Sequence, residues 1–157
     1  MIAQNKEHLI NKYMQTKVNT LSPDDTFAEA IKKMLEAKTN GMVVVNKDFK
    51  IEGILSSWDL IQYLVPDYLE EDKHLASFES ADVFAKRALE IKDEPVSKFM
   101  TKSVHTCNSS DSLMEAAIIL SEFKIRQLPV VDENNKLVGY INRTDIKRAI
   151  GDVLNLQ

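Results

Sequence analysis

The chain has a single cysteine, Cys107. No intrachain disulfide can form, so the sequence does not imply an oxidising, secreted setting. No apolar run nears the roughly 20 residues that span a bilayer. The N-terminal MIAQNKEHLI lacks the apolar stretch of a signal peptide. These absences lead us to expect a cytoplasmic protein with no membrane partner. An excess of basic charge is missing too: 20 Lys and Arg face 24 Asp and Glu, a net charge of −4. An acidic protein gains little from phosphate-backbone contacts, so DNA is not an expected partner. A small phosphorylated ligand needs only a few local cations and stays open.

Catalytic and metal signatures are also lacking. The three histidines, His8, His74 and His105, lie in no recognised catalytic motif, and Cys107 has no known flanking signature. There is no CxxC, HxxxH or DxDxDG pattern, no GxGxxG and no Walker loop. We therefore expect no enzyme, no metal and no obligatory cofactor.

What the sequence does contain is a repeat. Shifted by 86 positions, Lys12-Tyr13-Met14 falls on Lys98-Phe99-Met100, Val18 on Val104 and Thr20 on Thr106. Glu29-Ala30 falls on Glu115-Ala116, Val44-Val45 on Val130-Val131, Gly53 on Gly139 and Asp59 on Asp145. No gap is needed between Asn11 and Leu64. With hydrophobic residues at 44% and charged at 28%, the chain has enough apolar residues for a core and a charged content typical of a soluble surface.

Each copy reads β-α-β-β-α. A short extended piece over Lys17 to Leu21 precedes Ser22-Pro23-Asp24-Asp25, which reads as a helix start with a capping serine. Phe27, Ala30, Ile31, Met34 and Leu35 then form one apolar helical face. Met42 to Val45 and Ile51 to Leu55 read as a hairpin around Asn46-Lys47-Asp48, matched by Leu128 to Val131 and Leu137 to Ile141. A last helix carries Leu60, Ile61, Leu64 and Val65, matched by Ile146, Ala149 and Ile150. One such unit is too small to cover both faces of its sheet, so two must pack together. The expected division is 8–65, then 66–92, then 93–151. The middle stretch has no repeat counterpart. Its apolar residues, with Phe84, Ala88 and Ile91 on one helical face, predict an ordered connector packed on the pair.

These residues resemble a known family. An apolar-x-x-x-Met pattern ends at Met14 and at Met100. Thr20-x-Ser22-Pro23-x-Asp25, then Leu128-Pro129-Val130-Val131-Asp132, and Gly53-x-x-Ser56-x-x-Asp59 complete the set. Together they are similar to a tandem pair of CBS (cystathionine-β-synthase) domains, a Bateman module. The resemblance implies an α/β (α+β) fold of two repeats packed sheet to sheet about a pseudo-twofold axis. It also implies two clefts and a homodimer. The expected function is a regulatory sensor of an adenosine-containing ligand (AMP, ADP, ATP, S-adenosylmethionine or a cyclic dinucleotide) that signals to a separate partner protein. A dimerising adaptor with clefts filled by side chains is the alternative.

In Gly53-Ile54-Leu55-Ser56-Ser57-Trp58-Asp59 a strand ends and a helix begins. A carboxylate at Asp59 can accept both vicinal hydroxyls of a ribose, and Ser56 can bond the same sugar. The same pair also makes a plain helix cap. The second copy departs from the family pattern, with Asn142 at the serine position and Tyr140 for a small aliphatic residue, before Arg143 and Asp145. The resemblance places Arg126 and Gln127 toward the phosphates of a ligand at the other repeat's aspartate, with Arg143 a further phosphate residue. Asn40 and Gly41 hold the matching places in copy one, while Thr20 and Thr106 sit where adenine is met. Solvated surface arginines and strand-end threonines are the structural alternatives.

Overall fold

A computed structural model describes residues 8–78 and 81–156. Residues 1–7, searched above for a leader, and Glu79 and Ser80 of the connector lie outside them. The elements run α1 (Ile10–Tyr13), β1 (Thr20–Leu21), α2 (Phe27–Ala37), β2 (Gly41–Val45), β3 (Ile51–Ser56), α3 (Ser57–Leu64), α4 (Asp67–Glu71) and α5 (Asp82–Ile91). They continue with β4 (Cys107–Asn108), α6 (Leu113–Glu122), β5 (Gln127–Val131), β6 (Leu137–Asn142) and α7 (Arg143–Val153). Each copy is thus β-α-β-β-α, as its pattern predicts. The strands form two three-stranded sheets, ordered β1-β2-β3 and β4-β5-β6. In each sheet the first strand runs parallel to the second, with Thr20 beside Val43 and Cys107 beside Val130. β5 and β6 are an antiparallel hairpin.

Two compact units result, and they do not follow the sequence repeats. The Asp59 unit comprises 19–47, 52–78 and 81–103; the Asp145 unit comprises 8–18, 48–51 and 104–156. Each unit therefore takes the segment before its first strand from the other repeat. The cores show the exchange. Leu21, Phe27, Ala30, Met34, Met42, Val44 and Leu55 are buried together with Val96. Their equivalents Cys107, Leu113, Ala116, Leu120, Leu128, Val130 and Ile141 are buried with Ile10. Ile10 and Val96 are each fully inaccessible. A side chain of that kind contributes roughly 1.5–3 kcal/mol by burial, enough to anchor a short segment.

Backbone detail repeats as well. Lys38 and Lys124 adopt the left-handed conformation after the equivalent helices (φ 52° at both), and Phe49 and Asn135 do so in the equivalent turns (φ 62° and 63°). The start of α2 differs from the sequence reading. Its cap is Thr26, whose hydroxyl accepts from the Glu29 N–H at 3.1 Å, and not Ser22. Ser22 and Asp25 instead close a turn on each other: the Ser22 N–H donates to Asp25 Oδ2 at 2.9 Å and the Asp25 N–H to the Ser22 carbonyl at 3.0 Å. In copy two the equivalent Ser112 caps α6, with Glu115 completing a reciprocal box. The first strand is also shorter than Lys17 to Leu21.

The connector is helical, with α4, a 3-10 segment over Lys73–Phe78, and α5. Ile91 enters the core of the Asp59 unit. Arg87 donates to the carbonyls of Tyr63 (2.9 Å) and Leu64 (3.2 Å), in the last turn of α3, and covers the Tyr63 ring at 5.5 Å. Phe84, read above as part of the packed face, is 69% exposed. No helix among the described residues is long and apolar enough to cross a membrane.

Candidate functional site

The exchanged segments create the local geometry around both repeat aspartates. In the Asp59 unit, Ile54 on β3 and Thr101 exchange two backbone hydrogen bonds of 2.9 Å each. In the Asp145 unit, Gln15 and Tyr140 on β6 do the same, at 2.8 and 2.9 Å. Gly53 and Gly139 sit beside these crossings because a side chain there would strike the passing segment. A methyl at Gly53 would meet Met100 Sδ at 2.6 Å and the Thr101 carbonyl at 2.9 Å; one at Gly139 would meet the Gln15 carbonyl. The repeated glycine is thus explained by packing.

Each crossing also brings a side-chain donor to the aspartate. Ser56 caps α3: its hydroxyl accepts from the Asp59 N–H at 3.2 Å, and its own N–H donates to Asp59 Oδ2 at 2.9 Å. The Ser56 hydroxyl also lies 3.1 Å from Oδ2, while Thr101 Oγ1 donates to Asp59 Oδ1 at 3.1 Å. Asp59 remains half-buried. It lines a cavity of about 240 Å³ together with Gln62, Tyr63, Val65, Asp67, Glu70, Arg87 and Phe99. The floor is aromatic, with Tyr63 stacked on Phe99 at 4.7 Å. Asn40 joins this end of the unit: its carbonyl accepts from the Ser57 N–H (2.9 Å) and its Oδ1 from the Ser57 hydroxyl (3.2 Å). Gly41 opens β2 under the Thr39 hydroxyl, and Thr20 is half-buried on β1.

The equivalent carboxylate is treated differently. Asp145 is 1% exposed. Its Oδ1 accepts from Gln15 Nε2 and from Arg148 Nη2, both at 2.7 Å, and its Oδ2 from the Asn142 N–H at 2.9 Å. Asn142 caps α7 in return, accepting from the Asp145 N–H at 2.9 Å. Gln127 pairs with Asn142 across the hairpin and Tyr140 with Pro129. Arg126 and Arg143 are exposed, at the starts of β5 and α7, and Thr106 is half-buried just before β4.

The predicted residues thus fall into two sets. Ile54, Ser56, Asp59 and, through Ser57, Asn40 are brought together in one unit. Gln127, Tyr140, Asn142 and Asp145 are brought together in the other. Sequence reasoning missed Gln15 and Thr101, the donors to the two aspartates, and Asp67, Glu70 and Arg87 of the connector. The signal for the first pair was present: the repeat register sets Gln15 on Thr101, both hydrogen-bonding side chains one residue after a matched methionine.

Cys107 is buried in the core of its unit, its thiol 3.8 Å from the Pro129 carbonyl. Burial pushes the thiol up to about 12, and the charges of Asp111 and Glu115 add to the effect. It stays protonated at neutral pH and is no nucleophile. Above pH 9 the unfolded chain gains by ionising this group while the folded one does not, so its contribution to stability fades from pH 9 toward 12.

Against known proteins, the model of the CBS domain matches residues 10–66 and 96–152. An uncharacterized 17.7 kDa protein of Acidianus ambivalens is 27% identical over 94% of the chain and 76% of its own length. The chloroplastic CBS domain-containing protein CBSX2 of Arabidopsis thaliana is 26% identical over 94% of this chain, which spans 65% of that protein's length. The crystal structure of CBSX2 in complex with AMP superposes with a TM-score of 0.71 at 25% identity, covering 94% of this chain and 98% of that one.

Proposed function

The chain belongs to the CBS domain family, and from that premise we propose that it is a regulatory module which binds an adenosine-containing ligand at Asp59 and signals to a separate protein chain in the cytoplasm. The observation that carries the reading is the half-open Asp59 carboxylate. It faces a cavity with Ser56 and Thr101 hydroxyls beside it. Oδ1 keeps one lone pair, and a turn of the Ser56 hydroxyl releases another on Oδ2, so a vicinal diol has two acceptors. That CBSX2 was crystallised with AMP supports the same ligand class. The cavity carries Asp59, Asp67 and Glu70 against Arg87, whose guanidinium already serves two carbonyls. This negative balance favours AMP or the sulfonium of S-adenosylmethionine over ATP.

Calorimetric titration with AMP, ADP, ATP, S-adenosylmethionine and a cyclic dinucleotide tests the reading. Asp59→Ala is expected to lower affinity at least about tenfold, since bonds to a charged acceptor are worth roughly 1.5–3 kcal/mol each. The melting temperature should rise with the logarithm of ligand concentration in the parent protein. No heat and no melting shift at millimolar ligand would reject the sensor and leave the dimerising adaptor, which the closed Asp145 already favours for its own unit.

The homodimer belongs to the same proposal. Leu35 on α2 is 73% exposed, and Trp58 and Ile61 on α3 are 76% and 53% exposed. Apolar helix surface of this kind is typical of an interface. Light scattering at micromolar concentration should return twice the 17.9 kDa chain mass; a monomer mass would remove the dimer.

A further inference from the structure

We propose that Gln15 and Arg148 shut the diol acceptor of the Asp145 unit, so that the chain takes one adenosine ligand, at Asp59, instead of two. The inference rests on the ligand reading above and adds which residues decide where the ligand goes.

The repeat supplies an internal control, because Asp59 and Asp145 occupy the same position, each second in a reciprocal cap. What differs is the pair of residues around them. At 86 positions' offset, Gln15 stands where the other unit has Thr101, and Arg148 where it has Gln62. Thr101 brings one short hydroxyl to Asp59, and Gln62 stays in the cavity wall without a bond to the carboxylate. Gln15 instead reaches Asp145 with an amide at 2.7 Å, and Arg148 reaches back one helical turn to the same Oδ1 at 2.7 Å. Arg148 is held in place by a second bond, to the Tyr13 carbonyl at 3.1 Å.

Two donors fill both lone pairs of that oxygen, and one is charged. A ribose hydroxyl is a neutral donor and would have to displace them from a carboxylate that is 1% exposed. Asp59 asks only that the neutral Ser56 hydroxyl turn away from Oδ2, with no charged donor to displace. A guanidinium and an amide thus occupy in one unit the acceptor that the other unit offers to solvent.

The experiment exchanges the pairs and titrates each folded protein with AMP, circular dichroism confirming the fold. The parent protein should show about one site per chain. Gln15→Thr with Arg148→Gln should raise this to about two, and the added site should persist when Asp59→Ala is included. The reverse exchange, Thr101→Gln with Gln62→Arg, should close Asp59 and weaken binding at least tenfold. Two equal sites in the parent would overturn the inference while leaving the ligand reading intact. So would a folded Gln15→Thr/Arg148→Gln protein that still binds once. If that variant does not fold, the reverse exchange decides, and undiminished binding there overturns the proposal. No heat in either the parent or the opened variant removes the ligand reading and this inference together.

Discussion

Asp145→Ala is expected to destabilise the protein by about 3 kcal/mol and to lower its melting temperature by about 6–12 °C, at roughly 2–4 °C per kcal/mol for a chain of this size. The substitution strips three donors of their acceptor at once: the Asn142 N–H, Gln15 Nε2 and Arg148 Nη2. Losing the α7 cap alone is worth about 1 kcal/mol. The remainder comes from polar groups left without a partner around a site that is 1% exposed. Breaking a fully buried pair would cost about 3–5 kcal/mol. The Arg148 side chain is 52% exposed, however, and recovers water, which holds the loss to the bottom of that range. Asp59→Ala, at the equivalent but half-buried position, should lose little beyond the cap contribution, about 1 kcal/mol, because the exposed Thr101 hydroxyl that it also frees returns to water. Differential scanning calorimetry of the two variants checks the contrast. Equal losses would mean that Asp145 contributes no more to stability than Asp59 does.

Much of the fold was legible because a repeat constrains every element twice. The ends of elements were less legible. Ser22-Pro23-Asp24-Asp25 satisfies the pattern of a helix start, yet its side chains close a turn and the helix begins after Thr26. Thr26-x-x-Glu29 has the same spacing as Ser112-x-x-Glu115, and following the register would have moved the start. The exchange of segments between units could not be read at all. Ile10 and Val96 look like ordinary apolar residues of their own repeats, and nothing local says which core each enters.

For the candidate site, the aspartates, Ser56 and Asn142 were visible from motif and repetition. Their state was not. Whether a carboxylate is open depends on Gln15, 130 residues from Asp145, and on the rotamer of Arg148. An Asp-x-x-Arg spacing on a helix is usually a solvated surface pair. It is burial of Asp145 that makes this one different, and burial depends on how the exchanged segment passes over β6. Phe84 shows the converse: an apolar residue at helical spacing that the fold leaves in solvent.

The glycines offer a test of that crossing with opposite signs in one protein. Gly139→Ala is expected to cost about 3 kcal/mol, the upper part of the usual range for overpacking. The new methyl would collide with the Gln15 carbonyl, a backbone atom fixed by the two Gln15–Tyr140 hydrogen bonds. Relief requires the whole segment to lift, which weakens those bonds and withdraws Gln15 from Asp145. Gly53→Ala should cost less, about 1–2 kcal/mol, because its nearest neighbour at 2.6 Å is the flexible end of Met100 and the backbone oxygen lies further off, at 2.9 Å. Gly151 lies within α7, and a methyl there meets nothing within 4 Å. Gly151→Ala should therefore stabilise by about 0.5–1 kcal/mol, by removing backbone freedom from the unfolded chain. Urea titration of the three variants gives the order directly. A Gly139→Ala protein as stable as its parent would show that β6 and the Gln15 segment do not approach as closely as their paired backbones require, and the closure of Asp145 would lose its structural cause.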